Sequence, residues 1–477
     1  TIYIPESVTS IPYYNYFPEN VSSCYVDDSN QYYKDIDGVL YDKEVTKLVK
    51  YPCSKNEREY SVPEGVTEIV YGACAGTKIY SIYLPQSLKR IDQGAFSGCS
   101  NLMDVNMQSG LLYIGGAAFE ACTSLNHIDI PDTVINIENS AFYGCKQLKS
   151  IVLPSGISKI EQSTFAGCTA LEEVTIPEGV RSIDAYAFTN CSRLRSVTLP
   201  NSLVSLGDYF GWDYGAGHVF AACYNLKEVN VKEGNSRFKS VDGVLYNSSM
   251  TSVLIYPNGK SASDYSIPES VKEIGMAAFA DNRYLTNVSI PSGVTKISYA
   301  AFADCSNLQG VEFPKSLKSI GDQAYVNCSK LKTFTFTGDA PKFVNDYNYS
   351  ELRTFGNVSA TAYYPAGNIS YTINNMQNYG GSIDWISNDG NYISETITGS
   401  CDIAVYDTSG KLLVRTQNKR LIGSVTGKVA GVSVVFVDGG VRVVRKTDNL
   451  GMIIATGTSS GKMTYQSGTA SFDNVSV

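Results

Sequence analysis

Residues 168–191 read Cys-Thr-Ala-Leu-Glu-Glu-Val-Thr-Ile-Pro-Glu-Gly-Val-Arg-Ser-Ile-Asp-Ala-Tyr-Ala-Phe-Thr-Asn-Cys. The pattern Cys-x-x-Leu-x-x-Val-x-Ile-Pro-x-x-Val-x-x-Ile-x-x-x-Ala-Phe-x-x-Cys recurs along the chain, usually at intervals of 23 residues. A fixed period of this length predicts a solenoid, because one coil cannot bury its own apolar face. Successive coils must therefore stack and share a continuous core.

Each part of the repeat predicts a local structure. The Val174-x-Ile176 element alternates with period two and is β-branched, so it predicts a short strand with both residues facing inward. Pro177 then ends the strand, since proline has no N–H to donate. The stretch from Ile183 to Phe188 is too short for a helix and predicts a turn with a second brief extended or 3₁₀ piece. The repeated aromatic residues should stack in a ladder made of Phe96, Phe119, Phe142, Phe165, Phe188, Phe220, Phe279, Phe302 and Tyr325.

The cysteines follow the same period. The chain has 12 cysteines, and we assign most of them to one repeat position, which Asn282 fills in a further coil. These cysteines are Cys74, Cys99, Cys122, Cys145, Cys168, Cys191, Cys223, Cys305 and Cys328. Asparagine cannot form a disulfide, so the slot predicts buried free thiols, with disulfide pairing of some cysteines as the alternative. Zinc is disfavoured because the chain has no Cys-x-x-Cys pair, and we expect no metal or other cofactor.

Two segments interrupt the repeat with a common motif. Asp37-Gly38-Val39-Leu40-Tyr41 leads to Tyr51-Pro52, and Asp242-Gly243-Val244-Leu245-Tyr246 leads to Tyr256-Pro257 with the same spacing. Each segment predicts a β-hairpin decorating the solenoid, near 37–52 and 242–257. A third departure separates Cys191 from Cys223 by 32 residues, and its extra material at 207–218 is rich in aromatic residues and glycine.

The repeat resembles the BspA-like leucine-rich repeats of bacterial cell-surface proteins, which are common in Bacteroides and relatives. The hairpin motifs and the stretch from Thr361 to Trp385 are also similar to that family, so the resemblance covers about residues 1–388. It implies a β-rich, right-handed leucine-rich-repeat solenoid over 1–338 and a C-terminal cap over 339–388. It further implies a secreted or surface-anchored protein without catalytic activity. Some members of the family are associated with adhesion to host matrix proteins or to other bacteria.

The last quarter of the chain has a different pattern. Residues 392–446 alternate as strands with glycine-rich turns and resemble the small β-sandwich sorting domains of proteins exported by the Bacteroidetes type IX route. Such domains end their chains, whereas here a β-rich tail of unknown role follows at 447–477. An accessory β-domain is the alternative interpretation. The chain begins at Thr1-Ile2-Tyr3-Ile4-Pro5, which already resembles a coil, so we expect a signal peptide to have been removed or never to have been present.

Two surfaces are candidates for ligand binding. The outward residues of the Val-x-Ile strands form a small-residue, acidic face that includes Asp129, Glu173, Glu228 and Glu312. The insertion near 207–218 carries Tyr209, Trp212, Asp213 and Tyr214, whose rings could stack on a sugar or anchor a protein while carboxylates accept hydroxyl protons. The alternatives are a solvated sheet face and a lid whose aromatic rings pack back onto the solenoid.

The composition excludes several classes of protein. A net charge of −8 argues against nucleic-acid binding. The sequence contains no run of about 18 apolar residues, so it predicts no membrane-spanning helix. The chain has 2 histidines, neither in a catalytic motif, so we predict no enzyme activity and no catalytic residue.

We therefore expect a monomeric extracellular adhesion or binding protein, outer membrane-attached or secreted. Its partner would be a host matrix protein, a bacterial surface protein or a glycan. Two alternatives are a glycan-capturing component of a nutrient-uptake system and a structural surface-layer protein.

Overall fold

The computed structural model describes residues 1–12, 17–209, 212–213, 215–345, 351–372 and 374–388, together with six strands between residues 400 and 473. Residues 1–388 form a solenoid of about 16 turns with coils of about 23 residues, which confirms the predicted leucine-rich-repeat fold. Most coils contribute a strand to each of two parallel β-arrays, named sheet 1 and sheet 2 below. Among the described residues the only helix is a 3₁₀ turn at Ala216–Phe220, and none is long and apolar enough to cross a membrane.

Sheet 1 contains the predicted Val-x-Ile strands. Its strands pair in parallel in several separate runs, with a shift of about one repeat, for example Ser150 with Glu173. The strands of sheet 1 are Ile2–Ile4, Cys24–Val26, Glu59–Ser61, Ser81–Tyr83, Asp104–Asn106, Ser150–Val152, Glu173–Thr175, Ser196–Leu199, Glu228–Val231, Asp264–Ser266, Asn287–Ser289, Gly310–Phe313, Thr333–Phe336, Ser359–Tyr364 and Ser382–Ser387. The last two lie within the predicted cap and continue the parallel pairing.

Sheet 2 contains the second, shorter strand that follows the proline of each coil. It too pairs in parallel, as where Lys159 is the register partner of Ser182. Its strands are Glu68–Ile69, Arg90–Ile91, Tyr113–Ile114, Asn136–Ile137, Lys159–Ile160, Ser182–Ile183, Ser205–Leu206, Glu273–Ile274, Lys296–Ile297, Ser319–Gly321 and Lys342–Val344. The buried member is the repeated isoleucine in most of these strands and Leu206 in another, so sheets 1 and 2 enclose an apolar interior.

The aromatic ladder lies on the turn side of this interior. The rings from Phe96 to Phe220 stack nearly parallel, and Phe142 and Phe165 are 5.6 Å apart with 3° between their planes. A second run follows from Phe279 through Phe302 to Tyr325, with centroid distances of 4.8 and 5.1 Å. All of these rings are buried, so the predicted ladder is confirmed.

The cysteine position joins each coil to the previous one. Cys145 Sγ donates to the carbonyl oxygen of Phe119 at 3.2 Å, and Cys168 Sγ makes the same contact with Phe142. The eleven cysteines whose side chains are described are free thiols, as the pattern predicts, and Cys401 lies outside the described side chains. The thiols that make this contact thus satisfy buried backbone acceptors.

Cys74 is an exception, and its assignment to the cysteine slot is wrong. The backbone N–H of Cys74 donates to Ala95 in the way that Phe96 donates to Ala118, so Cys74 occupies the ladder position of its coil. Cys99 Sγ accordingly reaches the carbonyl of Cys74 at 2.9 Å. Thr77 fills the cysteine slot, with its Oγ1 3.2 Å from Cys99 Sγ.

The two hairpin motifs are built into the wall of the solenoid. Each forms three antiparallel strands, Tyr33–Ile36, Val39–Asp42 and Lys47–Lys50 in the first copy and Phe238–Val241, Val244–Asn247 and Ser252–Ile255 in the second. The third strand then pairs in parallel with the next strand of sheet 2. The interpretation of these hairpins as external decorations is therefore wrong, and the first strand of each lies before the predicted start.

These hairpins also divide the apolar interior, and we call them the partition hairpins. Alternating residues of one strand face opposite sides. Leu40 packs with Ile4 and Cys24, whereas Val39 and Tyr41 pack into the next core. In the second copy Leu245 belongs to the preceding core, and Val244 and Tyr246 belong to the following one.

The chain beyond residue 388 is described only as antiparallel strand pairs. These pairs are Ser400–Tyr406 with Leu412–Arg420, Ser433–Val437 with Gly440–Arg445, and Lys462–Gln466 with Thr469–Asp473. The boundaries at 392–446 and 447–477 and the sorting role stay predictions.

Candidate functional site

The outer face of sheet 1 presents one row of side chains from every coil. In the strand Ser196–Leu199, Val197 and Leu199 are buried, and Ser196 and Thr198 are exposed. The same alternation holds in the neighbouring strands, since successive side chains of a strand point to opposite faces. The outward positions are therefore those that the repeat predicts.

Three of the four acidic candidates lie on this face, and the fourth, Asp129, lies in the equivalent segment of a coil that forms no strand there. Glu173, Glu228 and Glu312 are exposed within their strands. The Asp129 side chain is 90% exposed and pairs with Nε2 of His127 at 2.9 Å. The four residues belong to different coils and do not form one cluster, so they can contribute to an extended contact surface but not to a compact carboxylate site.

The Trp212 insertion forms a short antiparallel ribbon. Asp208–Tyr209 pairs with Trp212–Asp213, and Tyr209 is the register partner of Trp212. Tyr214 and the side chains of Tyr209, Trp212 and Asp213 lie outside the described part of the structure. Whether these residues act together on a ligand stays a prediction.

Two glycines close the base of this ribbon. Gly207 and Gly215 both have positive φ, at 91° and 79°. A Cβ atom on Gly207 would lie 2.5 Å from the carbonyl oxygen of Gly215. Only glycine allows the two ends of the insertion to approach this closely, so the insertion leaves and rejoins the coil at one point.

Sequence reasoning missed a row of exposed tyrosines at the first coils. Tyr3 and Tyr25 are register partners in sheet 1 and are 61% and 54% exposed. Tyr83 is 41% exposed at the equivalent position of a later coil. The sequence does carry the signal, because Tyr3 in Ile2-Tyr3-Ile4-Pro5 stands where the repeat has an outward residue. This end of sheet 1 therefore carries a group of exposed aromatic side chains on its outer face.

A carboxylate lies beside these tyrosines. The Tyr3 hydroxyl donates to Asp27 Oδ2 at 2.5 Å. This hydrogen bond raises the pKa of Tyr3 and lowers the pKa of Asp27. Paired tyrosines next to a carboxylate can stack on a sugar ring or anchor a protein loop while the carboxylate accepts a hydrogen bond.

The two histidines lie apart from each other. His127 is exposed beside Asp129, and His218 lies in the 3₁₀ turn with its ring 5.6 Å from that of Tyr186. Within the described ranges no three His, Cys, Asp or Glu side chains are grouped so as to hold a metal ion.

Stacked coils with two parallel sheets, an aromatic ladder and a repeated cysteine define a leucine-rich-repeat solenoid. Residues 43–149, 136–266 and 255–355 match the BspA type leucine rich repeat region. These stretches together span more than half of the chain, which therefore belongs to the BspA-type leucine-rich repeat family. Among the curated proteins no sequence matches this chain.

Several solved structures are similar to this chain at low sequence identity. A leucine rich cell surface protein from Faecalibacterium prausnitzii is 22% identical, with a TM-score of 0.54, over 64% of this chain and 88% of that one. The pneumococcal vaccine antigen PcpA is 21% identical, with a TM-score of 0.45, over 74% and 95% of the two chains. A leucine-rich repeat protein from Bacteroides ovatus is 20% identical, with a TM-score of 0.44, over 74% and 97%.

Proposed function

We propose that this protein is an extracellular, cell-surface binding protein that contacts proteins or glycans through the outer faces of its solenoid and catalyses no reaction. The observation that carries the proposal is a contrast between the two faces of sheet 1. Inward positions repeat similar apolar residues, namely Val105, Ile128, Ile151, Val174, Val197, Val229, Val288, Val311 and Phe334. The outward positions next to them vary along the array among amide, acidic, hydroxyl and apolar residues, namely Asn106, Asp129, Val152, Thr175, Thr198, Asn230, Ser289, Glu312 and Thr335.

This contrast favours binding over a purely structural role. Packing alone requires only that the inward residues repeat. A surface that associates with further copies along the array would benefit from an outward repeat as well, because each coil would meet an equivalent neighbour. An outward surface whose side chains vary along the array instead suits one extended partner that contacts different coils differently.

Two patches are the proposed main contacts on this scaffold. The first is the exposed pair Tyr3 and Tyr25 beside Asp27, where the rings lie on adjacent strands. The second is the Trp212 insertion, whose residue types suit ring stacking and hydroxyl recognition. Tyrosine and tryptophan are enriched among residues that contribute most to binding, whereas Asp129, Glu173, Glu228 and Glu312 would supply polar contacts around them.

A binding screen tests this proposal. The labelled protein is applied to immobilised matrix proteins, mucins and purified glycans, with Tyr25→Ala and Trp212→Ala measured in parallel. Tyr143→Ala is the matched control, since Tyr143 is 45% exposed but belongs to neither patch. Binding lost in one patch variant and kept in the control assigns the contact to that patch. Binding that survives both substitutions moves the contact to the coil faces, and no binding across the panel contradicts the proposal.

Self-association separates the proposed role from a surface-layer role. We propose that the protein is monomeric, so its mass by static light scattering should stay constant as its concentration rises. A mass that increases with concentration would favour the structural alternative.

A further inference from the structure

A concave pocket lies at the coil corner that precedes sheet 1, where the regular coils meet the second partition hairpin. It has a volume of about 430 Å³ and is lined by Glu172, Arg193, Arg195, Asn225 and Lys227. These residues come from three consecutive coils. The Trp212 insertion instead follows sheet 2 in its coil, so the pocket is a separate part of the surface.

The backbone holds the charged side chains in a row. The N–H of Arg195 donates to the carbonyl of Glu172, and the N–H of Lys227 donates to the carbonyl of Arg195. Each charged residue therefore follows the one in the previous coil at the spacing of paired strands, about 4.8 Å. Arg193 adds a second cation from the same coil as Arg195. Leu194, the residue between them, is buried, so the two exposed arginines lie on the same, outer side of the chain.

The pocket has an excess of positive charge on a chain that is negative overall. The only acidic lining residue, Glu172, pairs with Arg195 at 2.8 Å. Arg193 and Lys227 are exposed and have no carboxylate within ion-pair distance in the described part of the chain. Two cations are thus available for a ligand, and a third is held in place by a carboxylate that a ligand anion can replace.

We propose that this pocket binds an anionic glycan, through the sulfate or carboxylate groups of its sugars. Guanidinium groups match the planar or tetrahedral oxygens of such anions and bind them with two hydrogen bonds each. The pocket volume is within the range of pockets that bind small ligands, and it is larger than the volume that one oxyanion would fill. The amide of Asn225, fixed by a 2.7 Å hydrogen bond from Nδ2 to the carbonyl of Ser192, leaves its oxygen to accept from a sugar hydroxyl.

The surroundings define the path of such a chain. Glu173 and Glu228 follow Glu172 and Lys227 in sequence and lie on the outward face of sheet 1, so that face repels an anion. Next to Asn225 in sequence, Tyr224 carries a further cation, since Arg283 stacks on its ring with its Cζ 3.7 Å from the ring centroid. A linear anionic glycan would therefore run along the coil corner across successive coils and not across sheet 1.

The test is calorimetric titration of the full chain with a heparin hexasaccharide, which carries both sulfate and carboxylate groups. The desulfated, re-acetylated hexasaccharide and inorganic sulfate are titrated for comparison. We expect the sulfated hexasaccharide to bind, and its Kd to rise between about 0.05 M and about 0.5 M NaCl as salt screens the contact. Binding that does not change with salt would overturn the proposal.

Substitutions assign the binding to the pocket. Arg193→Ala combined with Lys227→Ala should weaken binding by at least about tenfold. Lys315→Ala combined with Lys318→Ala is the matched control and should leave Kd unchanged, because both lysines are exposed between sheets 1 and 2 of a later coil and lie off the coil corner. Glu172→Gln should tighten binding several-fold, since it removes the carboxylate that competes for Arg195. A structural role of Glu172 would not produce this gain.

Three outcomes would overturn the inference without affecting the proposed binding function. The first is equal weakening by the pocket pair and the control pair. The second is equal affinity for inorganic sulfate and the hexasaccharide, which indicates a simple ion site. The third is tighter binding of a poly-glutamate peptide than of the hexasaccharide, which indicates an acidic protein partner.

Discussion

The phenylalanine ladder concentrates much of the core in one side chain per coil. Phe165 is fully buried, with its ring 5.6 Å from Phe142 and 5.4 Å from Phe188. A stacked ring therefore serves two interfaces at once, with the coil before it and the coil after it. The loss of one ring should therefore weaken the packing at both interfaces.

We expect Phe165→Ala to destabilise the protein by about 3–5 kcal/mol, because the substitution leaves a cavity that rigid neighbouring coils cannot fill. Urea denaturation measures the change. Val152→Ala is the control in the same coil, since Val152 is 69% exposed and its loss should cost less than about 0.5 kcal/mol. Equal effects of the two substitutions would refute the ladder as the main packing element.

A second residue-scale prediction concerns the turn before each cysteine. Ala121 has a φ of 56°, whereas glycine fills the same position at Gly98 and Gly144. Left-handed backbone costs an L-residue about 1–2 kcal/mol, part of which is offset by the greater entropy of unfolded glycine. We expect Ala121→Gly to raise the free energy of unfolding by about 0.5–1 kcal/mol in urea denaturation. Ala118→Gly, at a buried position without positive φ, should lower it, and the same sign for both would contradict the argument.

The buried thiols make stability depend on alkaline pH. Burial raises the pKa of Cys168, Cys223 and Cys328 from about 9 to about 12. Above about pH 9 these thiols lose their protons in the unfolded chain and keep them in the folded chain. The unfolded state then binds fewer protons, so the stability is full below pH 9 and falls as the pH rises toward 12.

Each thiol should contribute a slope of about 1.4 kcal/mol per pH unit in this range. The measurement is denaturation in urea under reducing conditions between about pH 8 and about pH 10.5. Cys168→Ala should have a shallower decline by the contribution of one thiol. An unchanged slope in that variant would show that this thiol does not titrate differently in the two states.

At the scale of elements, one asparagine fastens each partition hairpin to the preceding coil. Asn30 Nδ2 donates to the carbonyls of Pro5 and Val8 at 2.8 and 3.0 Å, and its Oδ1 accepts from the N–H groups of Tyr32 and Tyr33. Asn235, 205 residues later, makes the same contacts with Pro200 and Leu203 and with the N–H groups of Arg237 and Phe238. The two hairpins are therefore copies of one element.

We expect Asn30→Ala to cost about 2–4 kcal/mol, because it leaves several buried backbone groups without partners. Asn235→Ala should cost less, since Asn235 is half-buried and water can replace its side chain, whereas Asn30 is fully buried. Thermal denaturation of both variants tests the order. A larger loss in Asn235→Ala would mean that the hydrogen bonds matter less than the local packing.

The sequence predicted the elements that repeat and failed where the repeat changes length. The strand Glu173–Thr175 and its partners follow from period-two alternation. The strand Tyr33–Ile36 has no apolar alternation and gains its structure only from pairing with Val39–Asp42, so it was not predicted. Cys74 was misassigned because its coil is one residue shorter than most and a cysteine is compatible with either buried position.

The binding surfaces were less predictable than the core. Core positions are determined by contacts with identical neighbours, which a periodic sequence reveals. Exposed residues such as Tyr3 and Tyr25 have no such constraint, and only their register in sheet 1 shows that they lie side by side. The cations of the coil corner were missed for the same reason, since Arg193 and Lys227 are 34 positions apart in the chain.

At the scale of the whole molecule, the partition hairpins limit cooperativity. One buried cluster extends from the first partition hairpin to the second, and another extends from the second hairpin toward Trp385. In a solenoid each coil stabilises only its neighbours. A weakened coil should therefore destabilise its own cluster more than the other.

Hydrogen exchange resolved by peptide tests this expectation. Phe165→Ala should accelerate exchange mainly between residues 62 and 229, and Phe302→Ala mainly between residues 264 and 386. The unsubstituted protein sets the reference rates. Uniform acceleration along the whole solenoid in both variants would show that the two clusters unfold as one unit.

The partition hairpins also have a consequence for how such an array can change in length. Each hairpin packs residues against the core before it and against the core after it. Coils could therefore be added or removed between two hairpins without changing the contacts that either hairpin makes. The fastening asparagine and the strand that joins sheet 2 form the same joint in both copies. The segments between hairpins can thus be exchanged as cassettes, which would let the exposed residues diversify while each joint is retained.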